Sequence, residues 1–262
     1  MEWRKQCQAS ELFSLVALAN GSEEETGNSE INDNDDDDDD EETRKQKQKE
    51  RLDRATRLVK ALNTGSMYWH GLTKEGRPVL WIRTQRKYWY PDVPAEMDAL
   101  ICMSDAGIRF MPEGVTDFCC ISHSHKPPPP HPQFAYRFLQ TLTKGYPDRL
   151  NLLISAPVSS IVEFCMNLLL PLMPGRMHQK FTFFGLDNIQ GRCEELLLNG
   201  KDDVPTFFGG PVDHDQWYPE ERKCTNRGTG TLKFDFYGMM ERLEQAKGEF
   251  EKQQALAQQQ QQ

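Results

Sequence analysis

The residues with the most obvious metal chemistry lie between positions 119 and 131. Cys119, Cys120, His123, His125 and His131 carry thiol and imidazole groups, which are ligands that zinc prefers. Their spacing argues against a zinc site, because two adjacent cysteines point to opposite faces of a regular strand. No second Cys-x-x-Cys or His-x-x-x-His element accompanies them. We therefore expect no metal site in this segment.

Catalytic motifs are missing as well. The chain contains no nucleophile elbow, phosphate-binding loop, dinucleotide glycine fingerprint or paired metal-binding motif. Ser155-Ala156-Pro157 lacks the glycines that place a serine on a nucleophile elbow. We expect a protein that is not an enzyme and that carries no cofactor.

The elements that would position any site alternate between strand and helix. Thr73-Lys74-Glu75-Gly76 separates the first two predicted strands, with Gly76 free to take a positive φ. Strands are predicted at residues 67–72, 77–84, 115–122, 150–155 and 180–185. Helices are predicted at residues 93–109, from about 133 to 146, 158–172 and 189–198. Strands joined by crossover helices are parallel, so this order predicts an α/β fold with a mostly parallel sheet.

Charge and composition divide the chain into four segments. Residues 33–42 carry nine carboxylates, which equal the whole net charge of −9, so the rest of the chain is neutral overall. A neutral body gives no electrostatic case for binding nucleic acid. We expect a disordered acidic extension at 1–43, a basic helix at 44–65, one folded domain at 66–212 and a polar extension at 213–262, with a Gln-rich end and little core.

Cysteine usage and hydropathy bear on the compartment. Seven cysteines without a disulfide spacing indicate reduced thiols, and no apolar run reaches the length of a membrane-spanning helix. A cytoplasmic protein that touches membranes only transiently is the expectation.

Five short motifs stand in order between about residues 71 and 211, a little over half of the chain. They are Lys74-Glu75-Gly76-Arg77-Pro78-Val79, Tyr146-Pro147-Asp148-Arg149-Leu150, Ala156-Pro157, the segment 180–185, and Val204-Pro205-Thr206-Phe207-Phe208-Gly209-Gly210. Taken in this order, the motifs resemble the CRAL-TRIO family, which includes the yeast-type phosphatidylinositol transfer proteins.

The resemblance implies a five-stranded sheet flanked by helices, with an apolar pocket that holds one lipid. In the family, the helix after Ala156-Pro157 is a mobile gate over that pocket, and here it is apolar nearly all round. The implied pocket and gate residues are Ile161, Val162, Phe164, Cys165, Met166, Leu168, Leu169 and Leu172. Met173 and Arg176, near the hinge of this gate, are the expected membrane contacts.

The resemblance also implies a headgroup site. Phosphatidylinositol-binding members use an acidic residue in the Tyr-Pro motif and a lysine that opens a later strand, which correspond here to Asp148, with its neighbour Arg149, and Lys180. Two features depart from the family. Asp148 is one methylene shorter than the usual glutamate, and Cys120-Ile121-Ser122-His123 replaces an Asp-x-x-Gly-like motif.

The expected function is therefore binding of one phospholipid and its exchange between membranes, with phosphatidylinositol or phosphatidylcholine as cargo. The alternative is a CRAL-TRIO-like scaffold or GTPase regulator that binds a protein partner through its acidic or Pro-rich segments. An open apolar pocket with Lys180 at its rim would favour lipid, whereas a filled core would favour a scaffold.

Overall fold

The centre of the fold is a five-stranded sheet whose strands follow one another in chain order. The structure, a computed structural model, describes residues 9–19, 41–125, 131–158, 164, 177–219 and 233–260. The strands are β1 (Met67–Leu72), β2 (Pro78–Arg83), β3 (Phe118–His123), β4 (Leu150–Ala156) and β5 (Phe181–Phe183). β1 is antiparallel to β2, and all later pairs are parallel. The predicted α/β fold with a mostly parallel sheet is confirmed.

Helices cover the sheet and extend beyond it. In chain order they are α1 (Leu12–Ala19), α2 (Glu41–Asn63), α3 (Val93–Arg109), α4 (Pro132–Gln140), α5 (Leu186–Leu196) and α6 (Phe236–Gln260). Short 3-10 turns occupy Ala9–Glu11, Thr84–Arg86, Met177–Lys180, Gly200–Asp203, Thr206–Phe208 and His214–Gln216, and a π turn at Thr141–Gly145 follows α4. Among the described residues, no helix is long and apolar enough to cross a membrane.

Element boundaries agree with the sequence in most places and shift in a few. α3 has the predicted bounds, since Asp92 caps its first turn and Pro94 follows. β3 begins at Phe118, because Val115 closes a turn onto Pro112. α5 begins at Leu186, three residues earlier than predicted, whereas β5 is limited to its pairing with β4.

The two faces of the sheet can be assigned from contacts at β1. The Trp69 indole N–H donates to the Met103 carbonyl of α3 at 2.7 Å. Trp69 is paired with Leu80 of β2, and the row of paired residues continues across the sheet. The side chains in this row therefore share the α3 face; they are Trp69, Leu80, Cys120, Leu153 and Phe181. Right-handed crossovers in a sheet of this order also place α4 on that face.

The opposite face carries the segment that follows α5. Trp81 packs there against Phe207, with 5.8 Å between ring centroids, and against His214 at 5.0 Å. Gly210 must be a glycine, because a Cβ at that position would lie 2.0 Å from the Val204 carbonyl oxygen. The Val204–Gly210 motif is thus a tight structure that closes this face.

The expectation of a disordered extension over residues 1–43 is wrong for α1 and for the start of α2. Leu12, Leu15 and Val16 of α1 are fully buried, and α1 packs against α2 and α3. Three buried aliphatic side chains contribute about 1.5–3 kcal/mol each, which is enough to hold a short helix in place.

The expectation that residues 213–262 add little to the core is also wrong. α6 contributes Phe236, Met239, Leu243 and Phe250, all buried. Their spacing of three, four and seven residues forms one stripe on the helix, and that stripe lies against β1. The folded body therefore extends beyond residues 66–212 at both ends.

Candidate functional site

Lys180, Asp148 and Arg149 come together where β4 and β5 begin. Lys180 ends the turn Met177–Lys180 and immediately precedes β5. Its ammonium group donates to the backbone oxygen of Leu150, the first residue of β4, at 2.5 Å. Asp148 and Arg149 directly precede Leu150, so all three residues border the same corner of the sheet. We call this the amino-end corner.

A rigid turn presents Asp148 at this corner. Asp148 has φ of 58°, a left-handed conformation that aspartate tolerates better than most residues, and its side chain is exposed. Tyr146 anchors the turn, because its buried hydroxyl donates to Asp105 at 2.7 Å and to the Ile101 carbonyl at 3.1 Å. The Asp148 carboxylate can therefore meet a ligand from solvent without rearrangement of the core.

Arg149 links this turn to the start of β3. Its guanidinium donates to the Thr116 carbonyl at 2.7 Å. Arg149 also lines a surface groove of about 440 Å³ together with Arg109, Asp105 and Pro147. Two guanidinium groups on one groove suit a phosphate or another oxyanion, because charge-assisted N–H donors bind such groups strongly.

The predicted gate lies largely outside the described residues. This holds for Ile161, Val162, Cys165, Met166, Leu168, Leu169 and Leu172, and also for the membrane contacts Met173 and Arg176. Phe164 is described: it is helical, and its side chain is 64% exposed. On the α3 face of the sheet, Phe181 and Phe183 of β5 are partly buried and Leu153 of β4 is 7% exposed. That part of the face is apolar.

Three serines at the carboxyl ends of β3 and β4 escaped the sequence analysis. The Ser124 hydroxyl lies 3.0 Å from that of Ser122 and 2.8 Å from that of Ser155. All three are buried, and Ser122 and Ser155 are register partners on the α3 face. The spacing of Ser122 and Ser124 in the sequence indicates that both lie on one face of a strand. Their proximity to Ser155 follows only from the pairing register of β3 with β4. We call these residues the serine trio.

The cysteines and histidines considered for zinc lie in different surroundings. Cys120 packs in the core on the α3 face, whereas Cys119 faces the other side, near Asn151. Burial raises the pKa of the Cys119 thiol to about 12, so it stays protonated at neutral pH. His123 instead stacks on Phe207, with 4.8 Å between centroids. In the described ranges, no three His, Cys, Asp or Glu side chains are grouped so as to hold a metal ion.

Comparison with known proteins agrees with this architecture. The CRAL/TRIO domain model matches residues 62–210, more than half of the chain, and the chain belongs to this family. Membership supports binding or transfer of lipid, because proteins with this domain are in general lipid-binding and transfer proteins.

Individual proteins are only distantly similar. The crystal structure of Sfh5 matches with a TM-score of 0.46 and 12% identity, over 66% of this chain and 63% of that chain. No curated protein matches.

Proposed function

We propose that the protein binds one phospholipid, with phosphatidylinositol favoured, and exchanges it between membranes. The amino-end corner is the observation that supports this proposal, because the Lys180 ammonium contacts the Leu150 carbonyl, and Asp148 and Arg149 directly precede Leu150 in the chain. The sheet beside this corner offers an apolar surface of the kind that acyl chains need.

The chemistry of the corner suits an inositol phosphate headgroup. The bond from Lys180 to Leu150 uses one of three ammonium protons, so the same ammonium can also donate to a phosphate oxygen. The Asp148 carboxylate can accept hydrogen bonds from ring hydroxyls. Choline lacks such hydroxyls, which is why the corner favours inositol.

The serine trio gives the proposed pocket a polar end opposite this corner. Its two mutual hydrogen bonds use two of three hydroxyl protons, so the trio can offer the third to a polar acceptor that reaches this end of the pocket, away from the headgroup. We assign the apolar segment 158–172 to the gate of a cytoplasmic protein that contacts membranes transiently.

Transfer assays with two lipids test the corner. Lys180→Ala should reduce phosphatidylinositol transfer by about tenfold or more and phosphatidylcholine transfer much less, since about 1.4 kcal/mol of headgroup binding is a factor of ten. Lys201→Ala, at an exposed lysine far along the chain, is the matched control. Asp148→Asn should act in the same direction, and asparagine tolerates the left-handed backbone of this position.

An equal loss of transfer for both lipids in the Lys180→Ala variant would show that Lys180 has a structural role, through its bond to Leu150, and no role in headgroup selection. Native mass spectrometry of protein purified from cells, followed by lipid extraction, tests the cargo itself. Repeated absence of stoichiometric lipid would refute the proposal and favour the scaffold function.

A further inference from the structure

Large exposed apolar side chains concentrate at one edge of the sheet. Among the described residues, eight such side chains are exposed: Leu52, Trp89, Tyr90, Tyr136, Phe164, Leu186, Tyr237 and Leu256. Tyr90 is the most exposed of them, at 94%, and its neighbour Trp89 is 64% exposed. Isolated exposed apolar residues are ordinary, whereas a concentration at one edge marks an interaction surface.

Trp89 and Tyr90 lie in the connection between β2 and α3, at the carboxyl end of β2. Tyr136 lies nearby, because the Lys87 ammonium of the same connection sits 4.9 Å from the ring of Phe134 in the first turn of α4. Leu186 opens α5 three residues after β5 ends. Each of these side chains therefore follows the carboxyl end of a parallel strand.

Tyr237 reaches the same edge from another direction. The Phe234 amide, just before α6, donates to the side chain of Asn63 at 2.9 Å. Ser66 lies three residues after Asn63 and just before β1. Its carbonyl accepts a hydrogen bond from the amide of Arg83, the last residue of β2, at 2.7 Å. The start of α6 is thus beside the carboxyl end of β2. We call Trp89, Tyr90, Tyr136, Leu186 and Tyr237 the aromatic edge.

We propose that the aromatic edge is the surface that docks on a phospholipid membrane, with Trp89 and Tyr90 as its anchor. This inference rests on the proposed lipid exchange and specifies where it takes place. Tryptophan and tyrosine favour the membrane interface, where an apolar ring and a polar group are both accommodated. The side chains come from several separate connections. A flat membrane can contact all of them, because it requires only that they project to the same height.

Exposed cations accompany these side chains. The Lys60 ammonium lies 5.7 Å from the ring of Tyr88, beside Trp89, and Arg137 follows Tyr136. Both side chains are exposed, and each cation near an anionic membrane surface adds about 1 kcal/mol of attraction. The edge therefore suits a bilayer that contains an acidic lipid.

The orientation of the proposed cargo fits this docking edge. A lipid that leaves a leaflet headgroup first ends with its headgroup far from the membrane and its tails toward it. The amino-end corner lies at the opposite ends of the same strands from the aromatic edge. β4 has seven residues and spans about 20 Å, comparable to the ~15 Å hydrocarbon depth of one leaflet.

Sedimentation of the full chain with vesicles of phosphatidylcholine and phosphatidylinositol tests the proposal. The double substitution Trp89→Ser with Tyr90→Ser should weaken vesicle partitioning by about tenfold or more while the lipid cargo, measured by native mass spectrometry, is retained. Leu256→Ser is the matched control, because Leu256 is 59% exposed but lies beyond Phe250, which contacts Gly76 at the amino end of β2. This control should partition like the wild type.

Quenching by lipids brominated in their acyl chains gives a direct second measurement. Trp89 should be quenched on docking, whereas Trp69 and Trp81 are buried in the sheet and should not. The quenchable fraction should fall in a Trp89→Phe variant that still sediments with vesicles, and an unchanged fraction would contradict the insertion of Trp89.

Three outcomes distinguish a failure of this inference from a failure of the proposed function. Equal partitioning of the wild type and the double variant, with cargo present in both, would overturn the docking edge and leave lipid exchange intact. If the double variant loses binding to a protein but partitions into vesicles like the wild type, the docking edge would also be overturned, in favour of a protein partner. Absence of cargo from a wild type that still docks through Trp89 would refute the proposed exchange alone.

Discussion

His70, which is partly buried, and His214, which is fully buried, form a histidine pair beneath Trp217. Their ring centroids are 4.4 Å apart, and Trp217 stacks on His70 at 5.0 Å. His214 shares a hydrogen bond with the Tyr68 hydroxyl at 3.1 Å. His70 Nδ1 and His214 Nε2 are buried without a partner among the described residues. Burial lowers the pKa of His70 to about 4 and that of His214 well below its ordinary value, so both rings are neutral when the protein is folded at pH 7.

This histidine pair predicts acid sensitivity. In the unfolded chain, His70 is protonated as the pH falls below about 6.5, whereas in the folded protein it stays neutral until about pH 4. The unfolded state therefore binds more protons across that range, and the free energy of unfolding falls. The loss from His70 is on the order of 3 kcal/mol, and His214 adds to it. Urea unfolding at pH 7.5, 6 and 5 measures the loss.

A substitution isolates the contribution of His70 to this pH dependence. His70→Gln should reduce the dependence of the free energy of unfolding on pH, because the variant lacks the ring whose pKa burial lowers to about 4. A slope that is identical in the wild type and the His70 variant would assign the acid sensitivity to other groups.

At the scale of elements, α6 completes the sheet at its β1 edge. The Trp69 amide points away from β2 and donates to the Met239 sulfur at 3.3 Å, while the Trp69 carbonyl accepts from the Tyr218 hydroxyl at 3.0 Å. An uncovered edge strand would leave these groups open to pairing with another chain. α6 therefore does two things: it buries apolar surface and closes an edge.

Substitutions along α6 should separate its packed part from its projecting part. Leu243→Ala should lower the free energy of unfolding by about 2–5 kcal/mol, because Leu243 is 1% exposed and its loss leaves a cavity against β1. Leu256→Ala, on the exposed end of the same helix, should change it by less than about 0.5 kcal/mol. Chemical denaturation of both variants provides the comparison, and similar losses would mean that α6 does not pack as described.

The strands and α3 were predictable from sequence because their apolar periodicity and their turn and cap residues are local. α1 was not, since its eight residues bury Leu12 and Leu15 only because α2 and α3 lie beside them. Long-range pairs were equally hidden. The bidentate contact of Arg54 with Asp98 joins residues 44 positions apart, and nothing in either local pattern marks it.

The same distinction applies to the candidate site. Lys180 and Asp148 could be proposed from motifs, because each motif is a short run of adjacent residues. Their shared corner depends on the parallel pairing of β4 with β5, and the serine trio depends on the register of β3 with β4. The aromatic edge was still harder to predict from the sequence. It combines residues from separate connections, and their proximity follows only from the direction of the strands.

At the scale of the whole molecule, the cooperative body is larger than the region that defines the family. The family model covers residues 62–210, yet fully buried residues lie on both sides of it, among them Leu15, Leu58, Tyr218 and Met239. Tyr218 stacks on Tyr68 of β1 with 4.2 Å between ring centroids. The segments before and after the domain are thus parts of one core.

A fragment limited to residues 62–210 should therefore fail to fold cooperatively. It would expose the outer edge of β1 and the surfaces that α1, most of α2 and α6 cover, and the lost burial of four such side chains alone is about 6–12 kcal/mol, similar to the whole stability of a domain. A chain of residues 9–260 should keep the melting temperature of the full protein. Thermal unfolding followed by circular dichroism, together with size-exclusion chromatography, compares the two chains. A monomeric 62–210 fragment with a sharp transition near that temperature would show that the flanking helices are dispensable, because only an independent core could melt in that way.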